Sequence, residues 1–396
     1  MSRFGLAPAA AASEPAALQE ALAVIAATAA ARDRSASPAF PDDAITRLED
    51  AGALAFNAVA GYVRPPAAEE LGLVRAVARA DASVGRIFDG HLNGVERLAV
   101  QAPPALRDAE LAAVRDRRLR VGVWGGDPRP GEGPRATVQR GAGTETLSGV
   151  KTFCSGAGGL DRALVLARDP DASAPAAVWI DLTDETSVTV DEGWYRSSGL
   201  RASVSHRVVF DRAPVLARFG PPGGLSQQPW FARDALRTAA SWAGMADRAL
   251  DAALDVLAGR PDPGPREQLA ARPDPGPLEQ LAGRPDPGPL EQLAAGRMLT
   301  AQQTIDAWLQ RAARAMDAAE AELPEVALHA RVAIAHASRE LLDEAARACG
   351  SHPFATGGEL DRARRDLELF LLQHRLDPAL AAAGARALDA RAEEPS

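Results

Sequence analysis

The hydrophobic period of this chain changes twice, and that order constrains its fold more than any single residue does. From about Glu14 to Arg117 apolar residues recur at helical spacing: Leu18, Leu22 and Ile25, then Ile45, Leu48 and Leu54. Pro41 stands at the entrance to the second of these helices. Asp42 and Asp43 occupy its first turn, where carboxylates favour the helix dipole. A third helix is expected over Glu69–Arg79, then Asp81-Ala-Ser83, then an apolar helix through His91 to Val100. From Arg118 to Leu216 the period falls to two. Short runs rich in Val, Thr and aromatics cover Leu119–Trp124, Ala136–Arg140, Gly149–Cys154, Ala163–Ala167, Ala177–Ile180, Ser187–Val190 and His206–Phe210. Gly, Pro and Asp punctuate them, which reads as an antiparallel sandwich or barrel.

From about Gln227 the helical period returns, over Ala235–Leu257, Arg297–Ala318, Val326–Cys349, Glu359–His374 and Pro378–Ala390. The expected class is therefore α+β, with a helical domain at 1–117, a central β domain at 118–218 and a helical bundle at 225–396. At 396 residues the chain is too long for one simple core. One segment breaks the pattern. Arg260–Gln268, Arg272–Gln280 and Arg284–Gln292 repeat R-P-D-P-G-P-(R/L)-E-Q-L-A every 12 residues, an insertion spanning 260–296. Each unit carries three prolines, which remove donors and push the preceding residue out of helix. It reads as tandem duplication of one helix–helix connection, with a spacer or docking loop as the functional alternative.

A net charge of −9 argues against nucleic acid, whose phosphates need a basic partner surface. Lys151 is the single lysine among 44 Lys+Arg, a bias of coding more than a phosphate-binding device. Two cysteines, Cys154 and Cys349, are too few for a disulfide framework or for a metal site on their own. The longest uncharged stretch near the N-terminus, Ala21 to Ala31, is about half the ~20 residues of a membrane span. Neither a signal peptide nor a transmembrane helix is expected, and a reducing cytoplasm is.

Three motifs resemble the acyl-CoA dehydrogenase superfamily, including its flavin-dependent monooxygenase branch. Leu147-Ser-Gly-Val-Lys-Thr-Phe-Cys-Ser-Gly-Ala157, followed by Arg162-Ala-Leu-Val-Leu-Ala167, is similar to the family's flavin-crossing strand and the strand after it. Gly199-Leu-Arg-Ala-Ser203 leads to Val208-Val-Phe-Asp-Arg-Ala-Pro214, and Ala348-Cys-Gly-Ser351 precedes Leu360-Asp-Arg-Ala-Arg-Arg-Asp366. All three stand in the family's order over roughly Pro15 to Gly384. The resemblance implies an N-terminal helical domain, a central β domain and a C-terminal four-helix bundle. It further implies flavin between the last two, as FAD or possibly FMN, and a homodimer or homotetramer. A flavin reductase or an electron-transfer flavoprotein is the implied redox partner.

An isoalloxazine ring needs a flat apolar wall and donors for its polar edge. Trp124 with Gly125 and Gly126 offers a wall and close backbone approach, while Phe153, Cys154 and Ser155 offer an aromatic edge and a hydroxyl. Gly350 and Ser351 join these as the family's glycine turn. From the residues alone Phe153 reads equally as sandwich core. The chain departs from dehydrogenases in carrying Trp124-Gly125 where they carry Thr-Glu.

Dehydrogenation also needs a carboxylate for the substrate's α-proton. In the commonest subgroup it lies eight residues beyond the Asp of the R-D motif; here that position is His374, an imidazole. Another subgroup places it near the start of the first bundle helix, where Asp234 stands in the unmatched setting Trp230-Phe-Ala-Arg-Asp-Ala. The monooxygenase branch carries His on the C-terminal helix and Ser on the flavin strand, as His374 and Ser155 do, with His91 near a further histidine. From the residues alone, His374 beside Arg375 and Asp377 reads as solvent-facing, and His91 as a satisfied core histidine. Three expectations follow. The first is an acyl-CoA dehydrogenase-type flavin oxidoreductase acting on an acyl or carrier thioester, or a related small molecule, with an altered base. The second is a reduced-flavin-dependent monooxygenase using His374 and Ser155, and the third is a flavin-fold protein without chemistry.

Overall fold

The computed structural model describes residues 16–59, 64–141, 143–259, 287–373 and 376–393. Five helices come first: α1 (Ala16–Arg34), α2 (Asp42–Asp50), α3 (Ala67–Ala80), α4 (Ala82–Gln101) and α5 (Pro104–Arg115). Asp81 separates α3 from α4. Its extended backbone stops α3, and its side chain accepts from Ser83 N at 2.8 Å and Val84 N at 3.1 Å, capping α4.

Seven strands follow: β1 (Val121–Trp124), β2 (Thr137–Gly141), β3 (Thr144–Cys154), β4 (Arg162–Ala167), β5 (Ala176–Asp181), β6 (Val188–Asp191) and β7 (His206–Arg218). They form one sheet in the order β1-β4-β5-β7-β3-β2, with β6 also on β7. All seven expected runs are strands, but β1 and β4 pair parallel, not antiparallel. The crossover through β2 and β3 between them makes this possible. β3 and β7 run longer than their apolar patterns suggest, because β7 pairs with β5 through its C-terminal half and with β3 and β6 through its N-terminal half.

The last region holds α6 (Trp230–Leu257), α7 (Pro289–Asp317), α8 (Leu323–Cys349), the short α9 (His352–Ala355), α10 (Glu359–Leu371) and α11 (Asp377–Glu393). Helix α7 begins eight residues before its expected start. The third repeat unit supplies Gly288 as N-cap and Pro289 as first helical residue, where a missing N–H costs nothing. The rest of the repeat, 260–286, lies outside the described residues.

One continuous apolar core runs through all three regions, from Ile25, Leu48 and Phe88 through Trp124, Val165 and Phe210 to Trp242, Ile305, Leu341 and Phe370. A satellite core beneath α4 and α5 stacks Trp179 on Phe219 at 4.9 Å. Buried charge also welds the helices together. Arg233 and Arg237 on α6 reach Glu70 on α3 and Glu96 on α4 at 2.6–2.8 Å, with all four side chains inaccessible or nearly so.

The β region docks on α10 through two of the sequence motifs. Leu200 takes a left-handed conformation (φ 51°), and its N–H donates to Asp366 Oδ1 at 2.6 Å. A Cβ on Gly199 would lie 2.2 Å from Arg365 O, so only glycine lets this turn meet the helix. Arg365 in turn binds Ser198 O and Asp33. Burial raises the Asp366 carboxyl to about 7, opposed by the Leu200 N–H and Arg362. A carboxyl raised by folding binds more protons when folded, so its contribution to stability is greatest at low pH and declines as pH rises through about 7. Thermal midpoints compared between pH 5 and 8 should therefore fall less in Asp366→Asn than in the parent chain; parallel curves would contradict the assignment.

Candidate functional site

The site is built where β1 ends against β3. Lys151, fully buried on β3, donates to Gly125 O at 3.0 Å and to Asp127 Oδ1 at 2.8 Å. Thr152 N donates to Gly126 O at 3.0 Å, and Thr152 Oγ1 to Asp127 O at 3.1 Å. These bonds lay the 125–127 turn flat along β3. A Cβ on Gly126 would stand 2.3 Å from Thr152 O, whereas one on Gly125 would meet nothing within 4 Å. Gly126 is thus a packing requirement, and Gly125 leaves open space above the turn.

The register of β3 against β7 slips between Lys151 and Cys154. Such a slip re-aims side chains. Phe153 sits there at φ 54°, is 54 % exposed, and meets Trp194 edge-to-face at 5.0 Å. It is not sandwich core. A bulky residue in left-handed backbone, with its ring turned to solvent, is a strained arrangement of the kind found at binding sites.

The next alternation points Cys154 and Ser155 inward. Burial pushes the Cys154 thiol far above its ordinary range, so it packs as an inert apolar group. Ser155 Oγ lies 2.9 Å from Ser205 Oγ, which lies 2.8 Å from Ser203 Oγ. The three serine hydroxyls thus form a continuous chain from the end of β3 into the β6–β7 connection, while the nearby Tyr195 hydroxyl donates to Gly199 O at 3.4 Å. His206 packs edge-on to Tyr195 at 6.3 Å; its buried Nδ1 has no partner among the described residues, and burial lowers its pKa, leaving a neutral ring.

Several expected residues have other duties. Trp124 is 2 % exposed and donates Nε1–H to Ser155 O at 3.1 Å. It supports the site from beneath and is not an open wall, because β4 and the core enclose it. His91 is buried, with Nε2 bonded to Leu54 O and Nδ1 accepting from Val121 N. Burial lowers it to about 4, so it is a neutral residue that seats β1. Asp234 is bound to Arg97 and to Arg237. Gly350 (φ 69°) ends α8 and Ser351 follows it; neither has a hydrogen bond, ion pair or ring contact to the 124–155 cradle among the described residues. His374 lies outside the described residues. Trp194, Tyr195, Ser203, Ser205 and His206 were missed from sequence. The Ser203-Val-Ser205 alternation leading into β7 was their only signal.

No protein-family model matches the chain, and no curated protein does. Solved structures do. The structure of TdsC from Paenibacillus sp. A11-2 with FMN and indole aligns over 94 % of this chain and 97 % of its own, with TM-score 0.78 and 21 % identity. The methanesulfinate monooxygenase MsuC from Pseudomonas fluorescens aligns over 94 % and 96 % (TM-score 0.76, 22 % identity). A nitrososynthase from Micromonospora carbonacea var. africana aligns over 94 % and 95 % (TM-score 0.75, 21 % identity). The chain has the acyl-CoA dehydrogenase-like fold. Within that fold the three sequence motifs acquire mechanical roles: the first strand carries Phe153 and Ser155, and the other two hold it against α10. No described helix is long and apolar enough to cross a membrane.

Two glycine variants test the cradle. Gly126→Ala should destabilise the chain by about 1–3 kcal/mol, as overpacking does. Gly125→Ala should keep parental stability. Chemical denaturation of both variants checks this.

Proposed function

We propose that this chain is a flavin-dependent oxidoreductase, and specifically a monooxygenase that uses reduced FMN delivered by a separate reductase. The observation that carries the reading is the Phe153–Ser155 segment, which offers an exposed aromatic ring and, two residues on, a hydroxyl linked through Ser205 to Ser203. The residues fit a flavin: Phe153 and Trp194 give an aromatic flank, and the space over Gly125 admits close approach to backbone. FMN is preferred to FAD because the TdsC structure holds FMN.

When bound, reduced flavin supplies the activation of dioxygen. The chain's own part is to orient the ring, exclude water and move protons. Phe153 and Trp194 would flank the ring, and the Ser155, Ser205 and Ser203 hydroxyls would provide a path for a proton without a charged intermediate residue. His374, which lies outside the described residues, is proposed as a second proton carrier. Oxygenation is favoured over dehydrogenation of an acyl thioester by the imidazole His374 standing in sequence where the commonest dehydrogenases carry their carboxylate; Asp234, the other candidate base, is ion-paired to Arg97 and Arg237, and burial raises it to about 7.

The test supplies FMN, a flavin reductase and labelled dioxygen to the purified chain with sulfur, nitrogen and indole-type substrates. One labelled oxygen atom should enter the product, and Ser155→Ala should lower turnover by about a hundredfold while leaving FMN affinity unchanged. Anaerobic bleaching of bound flavin by acyl-CoA would instead establish the dehydrogenase. Absence of flavin binding in either redox state would refute both.

A further inference from the structure

A buried set of charges lies between α3, α4 and α6. Four carboxylates, Glu70, Asp89, Glu96 and Asp234, face four arginines, Arg86, Arg97, Arg233 and Arg237, and each carboxylate has at least one guanidinium within 3.4 Å. Asp89 is further satisfied by Asn93 and Thr238. This set is neutral. Arg331 on α8 is a fifth arginine beside it.

Arg331 is only 9 % exposed, and its Nε and Nη2 have no hydrogen-bond acceptor among the described residues. Its guanidinium lies 5.2 Å from the centre of the Trp242 ring. Trp242 meets Phe370 edge-on at 6.2 Å, and Arg86 covers Phe370 from α4 at 5.4 Å. Among the described residues, Asp89 is the carboxylate that acts on Arg331 electrostatically, and burial still lowers Arg331 to about 10. Stacking on an indole face recovers part of the lost hydration but supplies no acceptor for the fork of N–H groups. A buried guanidinium whose N–H groups find no acceptor costs several kcal/mol, which an apolar residue of similar length would avoid.

We infer that Arg331 binds the oxyanion (a carboxylate, phosphate or sulfonate-type group) of a small-molecule ligand that enters between α4, α6, α8 and α10. The planar fork suits two oxygens of such a group, and Trp242 holds the fork in place from behind. The inference rests on the flavin reading only in treating that ligand as the substrate; the binding itself needs no flavin.

Benzoate, inorganic phosphate and methanesulfonate are titrated against the purified full chain by tryptophan fluorescence, with benzamide as the neutral control. At least one anion should bind saturably, Arg331→Gln should weaken it about tenfold or more, and benzamide should bind neither form. No anion binding, or equal binding by Arg331→Gln, overturns the inference. A second readout needs no ligand: Arg331→Met removes this buried guanidinium and should raise the thermal midpoint. A fall would mean that Arg331 has a structural partner, including a carboxylate of a second copy, and would also overturn it. FMN titration of Arg331→Gln separates the two proposals. Retained FMN affinity is expected, and its loss would assign the oxyanion to the cofactor and overturn the inference. Failure of the unmutated chain to bind flavin defeats only the monooxygenase reading.

Discussion

The arrangement of this molecule depends on four charges removed from water. Glu70, Glu96, Arg233 and Arg237 belong to two successive helices and a third far along the chain, and each is satisfied only if α3, α4 and α6 hold one relative position. Apolar contacts tolerate sliding; a doubly paired guanidinium does not. Such a cluster adds little net stability over apolar packing of equal volume, but removing one member strands the others at a cost of about 3–5 kcal/mol. Its effect is to set geometry, and α4 carries that geometry onward. Through His91 it seats β1, and β1 starts the sheet that presents Phe153 and Ser155.

A second constraint acts from the opposite side. The turn at Gly199 and Leu200 meets α10 so closely that a side chain on the glycine is excluded, and the buried Asp366 carboxyl takes the Leu200 N–H. The sheet is therefore held at both ends, by α4 beneath β1 and by α10 against the β6–β7 connection. Between these two anchors lies the strained Phe153 segment, supported by Trp124 and Lys151. The aromatic is exposed because the register slip between Lys151 and Cys154 and its own left-handed backbone turn it out of the sheet.

Much of this was legible from residue order. The change of period located all seven strands and the long bundle helices, since alternation and 3.6-residue spacing report burial directly. The motifs around Lys151, Gly199 and Asp366 were also readable. What failed is instructive in each case. Trp124 looked like an open wall because an indole beside two glycines suggests close approach, yet its Nε1–H is spent on Ser155 O in the interior. His91 looked like a proton carrier by position, but both ring nitrogens are occupied by backbone groups from separate elements. The hydroxyl chain was invisible because Ser155, Ser203 and Ser205 come together only through strand register and a left-handed turn.

The sequence by itself determined the order of elements, the strand that carries the candidate site and the glycines its close contacts require. These follow from local periodicity and from the sterics of single residues. Only the tertiary structure decided which polar groups are already paired and which remain available. Pairing depends on atoms brought together from distant segments, and so Asp234 proves committed, Ser155 connected, and Arg331 buried without an acceptor among the described residues.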